Sequence, residues 1–359
     1  MLENKMKSSS YVIWNNKGGV GKSTICFHLA SVYAANNPDK DVVVIDMCPQ
    51  ANVSMMLLGG GNNGEDIVEE LISGETPRSI VGYMTDSIIN NFSTENLENF
   101  LVKVNDHNQH LSNNLFLLCG DGNLELIAPL LATRANAVPL SNADKPWEKV
   151  HSLIKQITDS PIKENRHTVF FIDTNPSFSI YTQIAIISGE KLIIPINADD
   201  SSRVAISALF NLIYGSGKLH PVYGNYTFSA RLTNNGMRRP IIHLLLGNRF
   251  TQRVGAAHAF KALSEATAST MYSEYKKDPS RFSNYRSGSA PLSFDDFQNQ
   301  YVFELRDFNS AGVVAANQGL PLNEVANQRI YEVYGQKIQV SKEQGNLCKK
   351  VIEDLTDKL

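Results

Sequence analysis

Cysteine is scarce in this chain: four in 359 residues, Cys26, Cys48, Cys119 and Cys348, scattered and without a Cys-x-x-Cys pair. That pattern speaks against a disulfide framework and for reduced thiols in a cytoplasm. Long apolar runs are missing as well; none approaches the roughly 18 residues that read as a transmembrane helix. Residues 1–10 are polar and basic and lack the apolar core of a secretion signal, so secretion is not expected. Neither sign of charge dominates, with 33 Lys+Arg against 36 Asp+Glu and a net charge of −3, so the whole-molecule charge does not announce a nucleic-acid binder. An apolar content of 42% is ample for a core, and the length allows one large α/β domain or two smaller ones.

Glycine, by contrast, is concentrated in one place. The stretch WNNKGGVGKST, residues 14–24, follows the apolar run Tyr11-Val12-Ile13. Its far end matches the phosphate-binding string Gly-x-x-x-x-Gly-Lys-[Ser/Thr], running here from Asn16 to Ser23, with Asn16 in the usual first glycine's place. Glycines 18, 19 and 21 let backbone N–H groups, that of Val20 included, turn toward phosphate oxygens. The helix expected after them, with Ile25, Leu29 and Val32 at helical spacing, adds its positive N-terminal end. Lys22 is placed to reach the β- and γ-phosphates, and the hydroxyl of Ser23, with Thr24 beside it, to meet Mg²⁺.

Lys17 precedes the glycines, where its own γ-phosphate is already served by Lys22. The string resembles the deviant phosphate loop, Lys-Gly-Gly-x-Gly-Lys-[Ser/Thr], of the ParA/MinD family of dimeric ATPases, closest to ParA-like partition ATPases. The resemblance implies ATP and Mg²⁺ as cofactors and an ATP-dependent sandwich homodimer in which Lys17 reaches the other subunit's phosphates. It also implies non-specific DNA binding by the dimer, and a ParB-like or other activating partner protein. A trans-acting cation neutralises charge developing in phosphoryl transfer, as an arginine finger does. The family includes the nitrogenase iron protein; the scattered cysteines argue against that branch's iron–sulfur cluster.

The rest of the chain carries the same resemblance, most strongly over residues 11–54. Strand candidates at 11–14, 41–47, 115–119, 168–173, 192–196, 241–246 and 301–305 alternate with helical stretches such as Trp147, Val150, Ile154 and Ile157. This predicts an α/β fold, a mostly parallel doubly wound sheet of about seven strands with helices on both faces. One domain is expected over 1–359, with insertions at about 59–114 and 265–300. Asp46 ends the second strand in VVVIDMCPQANVS, where the family reads Asp-x-Asp-Pro-Gln-x-Asn; Asp46, Pro49, Gln50 and Asn52 match, and Cys48 replaces the second aspartate. That aspartate positions the attacking water in the family, so slow hydrolysis is expected. A neutral thiol cannot replace it, and beside polyphosphate Cys48 should stay protonated. Asp173 ends TVFFIDTNPSF, which resembles a Walker B strand whose aspartate holds Mg²⁺. Ser23, Asp46 and Asp173 are therefore the expected metal residues, and Lys17, Lys22 and Asp46 the catalytic ones. Asn175 stands where the family usually has Pro, and the loop 176–181 is expected to sense the γ-phosphate. Asn248 is a candidate adenine contact, or an ordinary strand-end turn, and residues 310–325 resemble the family's stretch near the base.

Charge is unevenly spread. Between Arg231 and Arg286 ten bases face three acids, a net +7, whereas the 230 residues before carry −7. Arg231, Arg238, Arg239, Arg253, Lys276, Lys277 and Arg281 are the candidate DNA contacts, and a merely solvated face is the plain alternative. His107-x-x-His110, in an Asn-rich stretch, reads as surface loop. The terminal Leu347, Val351, Ile352, Leu355, Leu359 pattern reads as a helix docked on the domain, and no membrane partner is expected. Only ten residues precede Tyr11, which leaves no expected room for a preceding DNA-reading module. The location expected is cytoplasmic, on a bacterial nucleoid if DNA binding holds. The implied task is partition or positioning of plasmid, chromosome or other DNA cargo. Alternatives stay open: a slow nucleotide switch that recruits a partner without DNA transport, a MinD-like positioning ATPase, or a ligase-like enzyme on the same fold.

Overall fold

Residues 8–93, 95–141, 143–217, 220–250, 254–325 and 330–359 are described in a computed structural model. Ten strands are found among them: β1 (Ser8–Ile13), β2 (Asp41–Met47), β3 (Leu101–Lys103), β4 (Leu115–Leu118), β5 (Thr168–Thr174), β6 (Lys191–Asn197), β7 (Ile241–Phe250), β8 (Val302–Arg306), β9 (Ile330–Val333) and β10 (Gln336–Gln339). The first eight form one sheet in the order β3-β4-β2-β5-β1-β6-β7-β8. Every neighbouring pair is parallel except β3 with β4. The sheet thus has one strand more than expected. The extra strand is β3, three residues inside the Asn-rich stretch, too short to show a period of its own.

Apolar runs read as strands because both faces of the sheet are covered. All seven residues of β2 and of β5 are buried. Successive residues face opposite layers: Tyr11 and Ile13 pack into one core, and Val12 and Trp14 into the other. The first core is closed by the helix Lys22–Asn36 and by the last helix, Lys342–Thr356, through Cys348, Ile352 and Leu355. The chain end is pinned there: Tyr11 Oη donates to the Leu359 carbonyl at 2.5 Å. No described helix is long and apolar enough to cross a membrane. The second core holds Trp147, Val150, Ile154 and Ile157. Their helix is interrupted, Pro146–His151 and then Lys155–Thr158, although all four side chains stay buried.

The stretch 59–114 contributes two helices, Gly61–Ser73 and Ile80–Ile89, besides β3. The stretch from 265 begins inside a long helix, Val254–Lys277, which exposes Glu265, Ser269, Ser273, Lys276 and Lys277 and buries Ala268, Met271 and Tyr275. The hairpin β9–β10 was not foreseen; its strands are four residues each, β9 alternating buried with exposed positions and β10 almost wholly exposed. Since β1 lies between β5 and β6, the carboxyl ends of β1, β2 and β5 converge on one edge. Such a crevice is where doubly wound sheets bind ligands.

Candidate functional site

The loop after β1 is built by its own glycines. Gly19 and Gly21 have φ of +70° and +84°, the left-handed region that side chains resist. Gly21 also caps the helix Lys22–Asn36, whose first turn has no side-chain cap and no acid, so its N–H groups remain available to an anion. A Cβ on Gly21 would lie 2.4 Å from Asn248 Nδ2. That same amide donates to the Val20 carbonyl at 2.8 Å. Asn248 therefore braces the loop from the end of β7, a role its sequence context did not suggest. Asn15 braces it from the other side: Nδ2 donates to the Pro195 carbonyl at 2.7 Å, and Oδ1 accepts from the Lys17 N–H at 3.1 Å.

Lys22 is buried and lies along the loop, its Nζ donating to the carbonyls of Lys17 (3.1 Å) and Asn15 (3.3 Å). Burial pushes its ammonium below the ordinary lysine range, with Asp173 opposing that shift. Asp46 and Asp173 are register neighbours at the ends of β2 and β5, both fully buried. Their oxygens fare differently. Asp46 Oδ1 accepts from the Cys48 N–H at 3.0 Å, and Oδ2 from Ser54 Oγ at 2.7 Å and Ser54 N at 3.2 Å. Ser54 Oγ in turn accepts from the Gly120 N–H at 2.9 Å, and a Cβ on Gly120 would lie 2.7 Å from the Asp46 carboxylate. Neither oxygen of Asp173 has a hydrogen-bond partner. Burial raises the Asp173 carboxyl and Asp46 raises it further, with nearby Ser23 and Lys22 only partly offsetting this. A buried, unpartnered carboxylate is costly, and it fits a cation.

These residues fit Mg²⁺ bound together with phosphate. Among the described residues no group of three or more His, Cys, Asp or Glu could hold a metal alone. Mg²⁺ typically takes one or two carboxylates, waters and substrate phosphates instead. Asp173 and the adjacent Ser23 supply that minimum, while Asp46 is already committed to Ser54 and the Cys48 amide. His107 and His110, the other candidate pair, are exposed.

A cavity of about 930 Å³ opens over the loop, lined by Gly18, Gly21, Ser23, Thr24, Cys48 and Asn175 among others. Its far wall includes Val313, Ala316 and Asn317 of the helix Asn309–Gln318, the stretch expected near the base. Asn248 lies behind the loop rather than among these lining residues. Cys48 is buried, and burial together with Asp46 and Asp173 pushes its thiol up to about 12, so it is neutral.

Lys17 does not project freely. Its Nζ forms an ion pair with Asp199 of the same chain, at the end of β6. Asp199 also caps the helix Asp200–Leu209 through the Ser202 N–H at 3.1 Å. Partial burial raises its carboxyl, but the Lys17, Ser201 and Ser202 bonds outweigh that and hold it below the usual carboxylate range. Asp199, Asn15, Ser54 and Gly120 were all missed by motif reading. Each acts by holding a motif residue, and spacing alone carries no sign of that.

Much of the basic segment is engaged with other groups of the fold. Arg239 gives Nε to the Ile213 carbonyl (2.9 Å) and Nη2 to the Ser229 carbonyl and Thr233 Oγ1 (both 2.7 Å). Arg281 pairs with Asp278 at 2.9 Å and donates to Ser216 Oγ at 2.7 Å. Arg231 lies 5.2 Å over the Trp147 ring and donates to Asn136 Oδ1 at 2.9 Å. Lys277 pairs with Glu274 at 2.5 Å, and Lys276 lies 4.9 Å over Tyr272. Arg238, Lys276 and Lys277 are exposed. Arg253 lies outside the described residues.

A family model described as AAA domain matches residues 9–218. Among curated proteins, an uncharacterised protein of Methanocaldococcus jannaschii is 26% identical over 201 residues, 56% of this chain and 63% of the relative. An uncharacterised protein of Pseudomonas putida is 24% identical over 206 residues, 56% of this chain and 61% of the relative. The chain therefore spans less than two thirds of these relatives' length. Among solved structures it is similar to pNOB8 ParA, with TM-score 0.59, 14% identity and 98% and 97% of the two chains covered. The ATP complex of Cyanothece McdA gives TM-score 0.57, 14% identity and 98% and 96% coverage. A putative plasmid partition protein of Borrelia burgdorferi bound to AMPPNP gives 0.51, 17%, and 98% and 100%. At these identities the likeness shows the fold.

Proposed function

The chain belongs to the AAA-domain family AAA_31, in its ParA/MinD-like P-loop form, and from that premise we propose that it acts as a single-domain, partner-regulated ATPase that positions DNA cargo. The observation carrying this reading is the unpartnered Asp173 carboxylate beside Ser23 and Lys22, under a helix end with no anion of its own. Magnesium, when bound with ATP, neutralises phosphate charge there. The chain's own parts do the rest. The loop N–H groups and Lys22 hold the phosphates, Asp173 and Ser23 orient the metal's side, and Asn248 and Asn15 keep the loop's shape.

Dimerisation enters through Lys17. For its ammonium to reach a second subunit's phosphates it must leave Asp199. ATP binding in one chain and docking of another thus compete with a contact inside the monomer. The ATP-bound dimer is proposed to bind duplex DNA without sequence preference, with the exposed cations Arg238, Lys276 and Lys277 as the phosphate contacts. Release is left to a partner protein. The test measures mass in solution, nucleotide affinity and duplex binding together. Lys17→Ala should keep ATP affinity and lose the dimer, whereas Asp199→Ala should dimerise at lower ATP. Normal ATP-dependent dimerisation of Lys17→Ala removes the cross-subunit role.

Cys48 favours a slow form of this activity. It is a buried, neutral thiol, and the neighbouring Asp46 is occupied by Ser54. No carboxylate at position 48 is present to aim a water. The ATP state is therefore proposed to be long-lived, a switch that persists until a partner acts.

A further inference from the structure

A second cavity, of about 700 Å³, lies in the opposite helical layer. Its walls include Trp147, Phe178, Phe228, Gln183, Tyr226 and Arg231. The aromatic part is ordered: Phe178 meets Phe228 edge-on at 5.3 Å, and Trp147 lies 6.0 Å from Phe228. The Arg231 guanidinium lies 5.2 Å over the Trp147 ring, and its only hydrogen-bond partner among the described residues is the neutral Asn136. Burial alone lowers its guanidinium, with no carboxylate counter-ion beside it. The cavity thus joins apolar rings to one positive charge that lacks an anion.

The surroundings give the occupant's size. The chain leaves the wall at Asn136 and returns at Trp147, and the loop between exposes Val138 and Leu140. The segment that brings Tyr226 to the wall also exposes Val222 and Tyr223. Apolar side chains outside a pocket add nothing for a small ligand. They are useful to a polypeptide that sends one side chain in and lays its flanks across the rim.

The cavity also touches the nucleotide site. Phe178 stands 5.5 Å from Trp14, which leads into the phosphate loop. Asn175 and Pro176, just before Phe178, line the nucleotide cavity. One short loop therefore borders both sites. Anything that fixes Phe178 biases the residues facing the terminal phosphate, and the coupling is reciprocal.

We infer that this cavity is the docking site for a partner protein's acidic segment, which packs an aromatic side chain into the cavity against the ring cluster of Trp147, Phe178 and Phe228 and sets a carboxylate against Arg231. The inference gives chemistry to the partner in the proposed function and rests on that reading only for its coupling to nucleotide. The test begins with a display library of random 12-residue peptides, selected on the full chain. Sequences combining Trp, Tyr or Phe with Asp or Glu should enrich. The best sequence, labelled and titrated by anisotropy, should lose at least about tenfold in affinity with Arg231→Glu, as expected of an arginine anchor, and about threefold with exposed Tyr226→Ala. Tyr226→Ala should fold and bind ATP normally. AMPPNP with Mg²⁺ should change the peptide's affinity in the wild type, and Phe178→Leu should abolish that change. No enrichment, enrichment of basic sequences, or equal binding by Arg231→Glu overturns the docking site. Competition by duplex DNA overturns it too, since Arg231 would then serve nucleic acid. An unchanged affinity with AMPPNP overturns the coupling. Loss of ATP binding by the wild type would sink the ATPase reading and leave the peptide selection standing.

Discussion

The phosphate loop and the basic segment both stand out in the sequence, yet the structure treats them in opposite ways. Around the loop, groups that ought to be satisfied are left waiting: both oxygens of Asp173 and Oδ1 of Asn16 are buried without partners. In the basic segment, groups that ought to be free are consumed: Arg239 makes three hydrogen bonds inside the fold, and Arg281 two plus an ion pair with Glu274. A buried polar or ionisable group without a partner is costly, and such groups gather where something binds. A surface charge costs almost nothing to keep, so a count of charges says little about a site.

The largest effect tests the loop side of that contrast. Lys22→Ala should abolish nucleotide binding, because the phosphates lose the cation held at the loop carbonyls. Asp173→Asn should lose Mg²⁺-dependent nucleotide binding. It should also raise the melting temperature of the nucleotide-free chain above about pH 8, where the raised Asp173 carboxyl ionises without a partner. A nucleotide-free Asp173→Asn that melts lower than wild type would show that the carboxylate is satisfied in a way its geometry does not reveal.

Second in size is the rate effect at Cys48. Cys48→Asp should speed single-turnover hydrolysis by about 10²-fold, within the range of a positioned base, while Cys48→Ala should barely change it. The added carboxylate joins Asp46 and Asp173 in a buried site, so the same variant should be less stable without nucleotide. Rapid wild-type turnover, or its collapse in Cys48→Ala, would show that another group aims the water.

These two effects concern residues legible in the sequence, and the reason is chemical. Glycines, a lysine and strand-end aspartates at fixed spacing are demanded by phosphate geometry, so the loop, Asp46 and Asp173 could be read before any fold was known. The parallel sheet was legible because strands buried on both faces are continuous apolar runs. What escaped acts at a distance in sequence. Asn248 lies 228 positions from the Val20 carbonyl it braces, and Asp199 lies 182 from Lys17. Likewise β3 is three residues long, and the β9–β10 hairpin exposes most of its side chains, so neither has a pattern strong enough to rise above its loops.

A third effect concerns the helix behind the loop. His28 is fully buried between Phe27 and Phe308, neither ring nitrogen has a partner, and burial lowers it from an ordinary 6.5 to about 3. Its folded value lies below its unfolded one, so the unfolded chain binds more protons in between. Stability is complete above about pH 6.5 and is lost as pH falls toward 3, by about 3 kcal/mol at pH 4.5 from this residue. Buried His151 and His243, each lowered to about 4, add to the same limb. Asp173 works with the opposite sign, because its raised value favours the fold as pH falls. His28→Leu should therefore flatten the acid limb of a melting-temperature profile, most clearly in an Asp173→Asn background. An unchanged limb would mean that His28 is solvated before the fold is lost.

The smallest effect returns to the basic segment and divides it in two. If DNA contacts come from exposed cations, Arg238→Ala or the Lys276→Ala, Lys277→Ala pair should reduce the log–log salt slope of duplex binding by about 0.9 per contact. Between 50 and 200 mM salt, each lost contact is then worth only about a threefold change in affinity. Arg239→Ala and Arg281→Ala should behave differently. Removing Arg239 takes a donor from the Ile213 and Ser229 carbonyls and from Thr233 Oγ1, and removing Arg281 takes one from Asp278 Oδ2 and from Ser216 Oγ. Those variants should melt lower by a few degrees and keep the salt slope, since their cations never faced phosphate. The opposite pattern, slopes that fall for Arg239 and Arg281 but not for Arg238 or Lys276, would mean that the dimer rearranges this region on DNA. The charge count would then have been the better guide, and the internal bonds a property of the monomer alone.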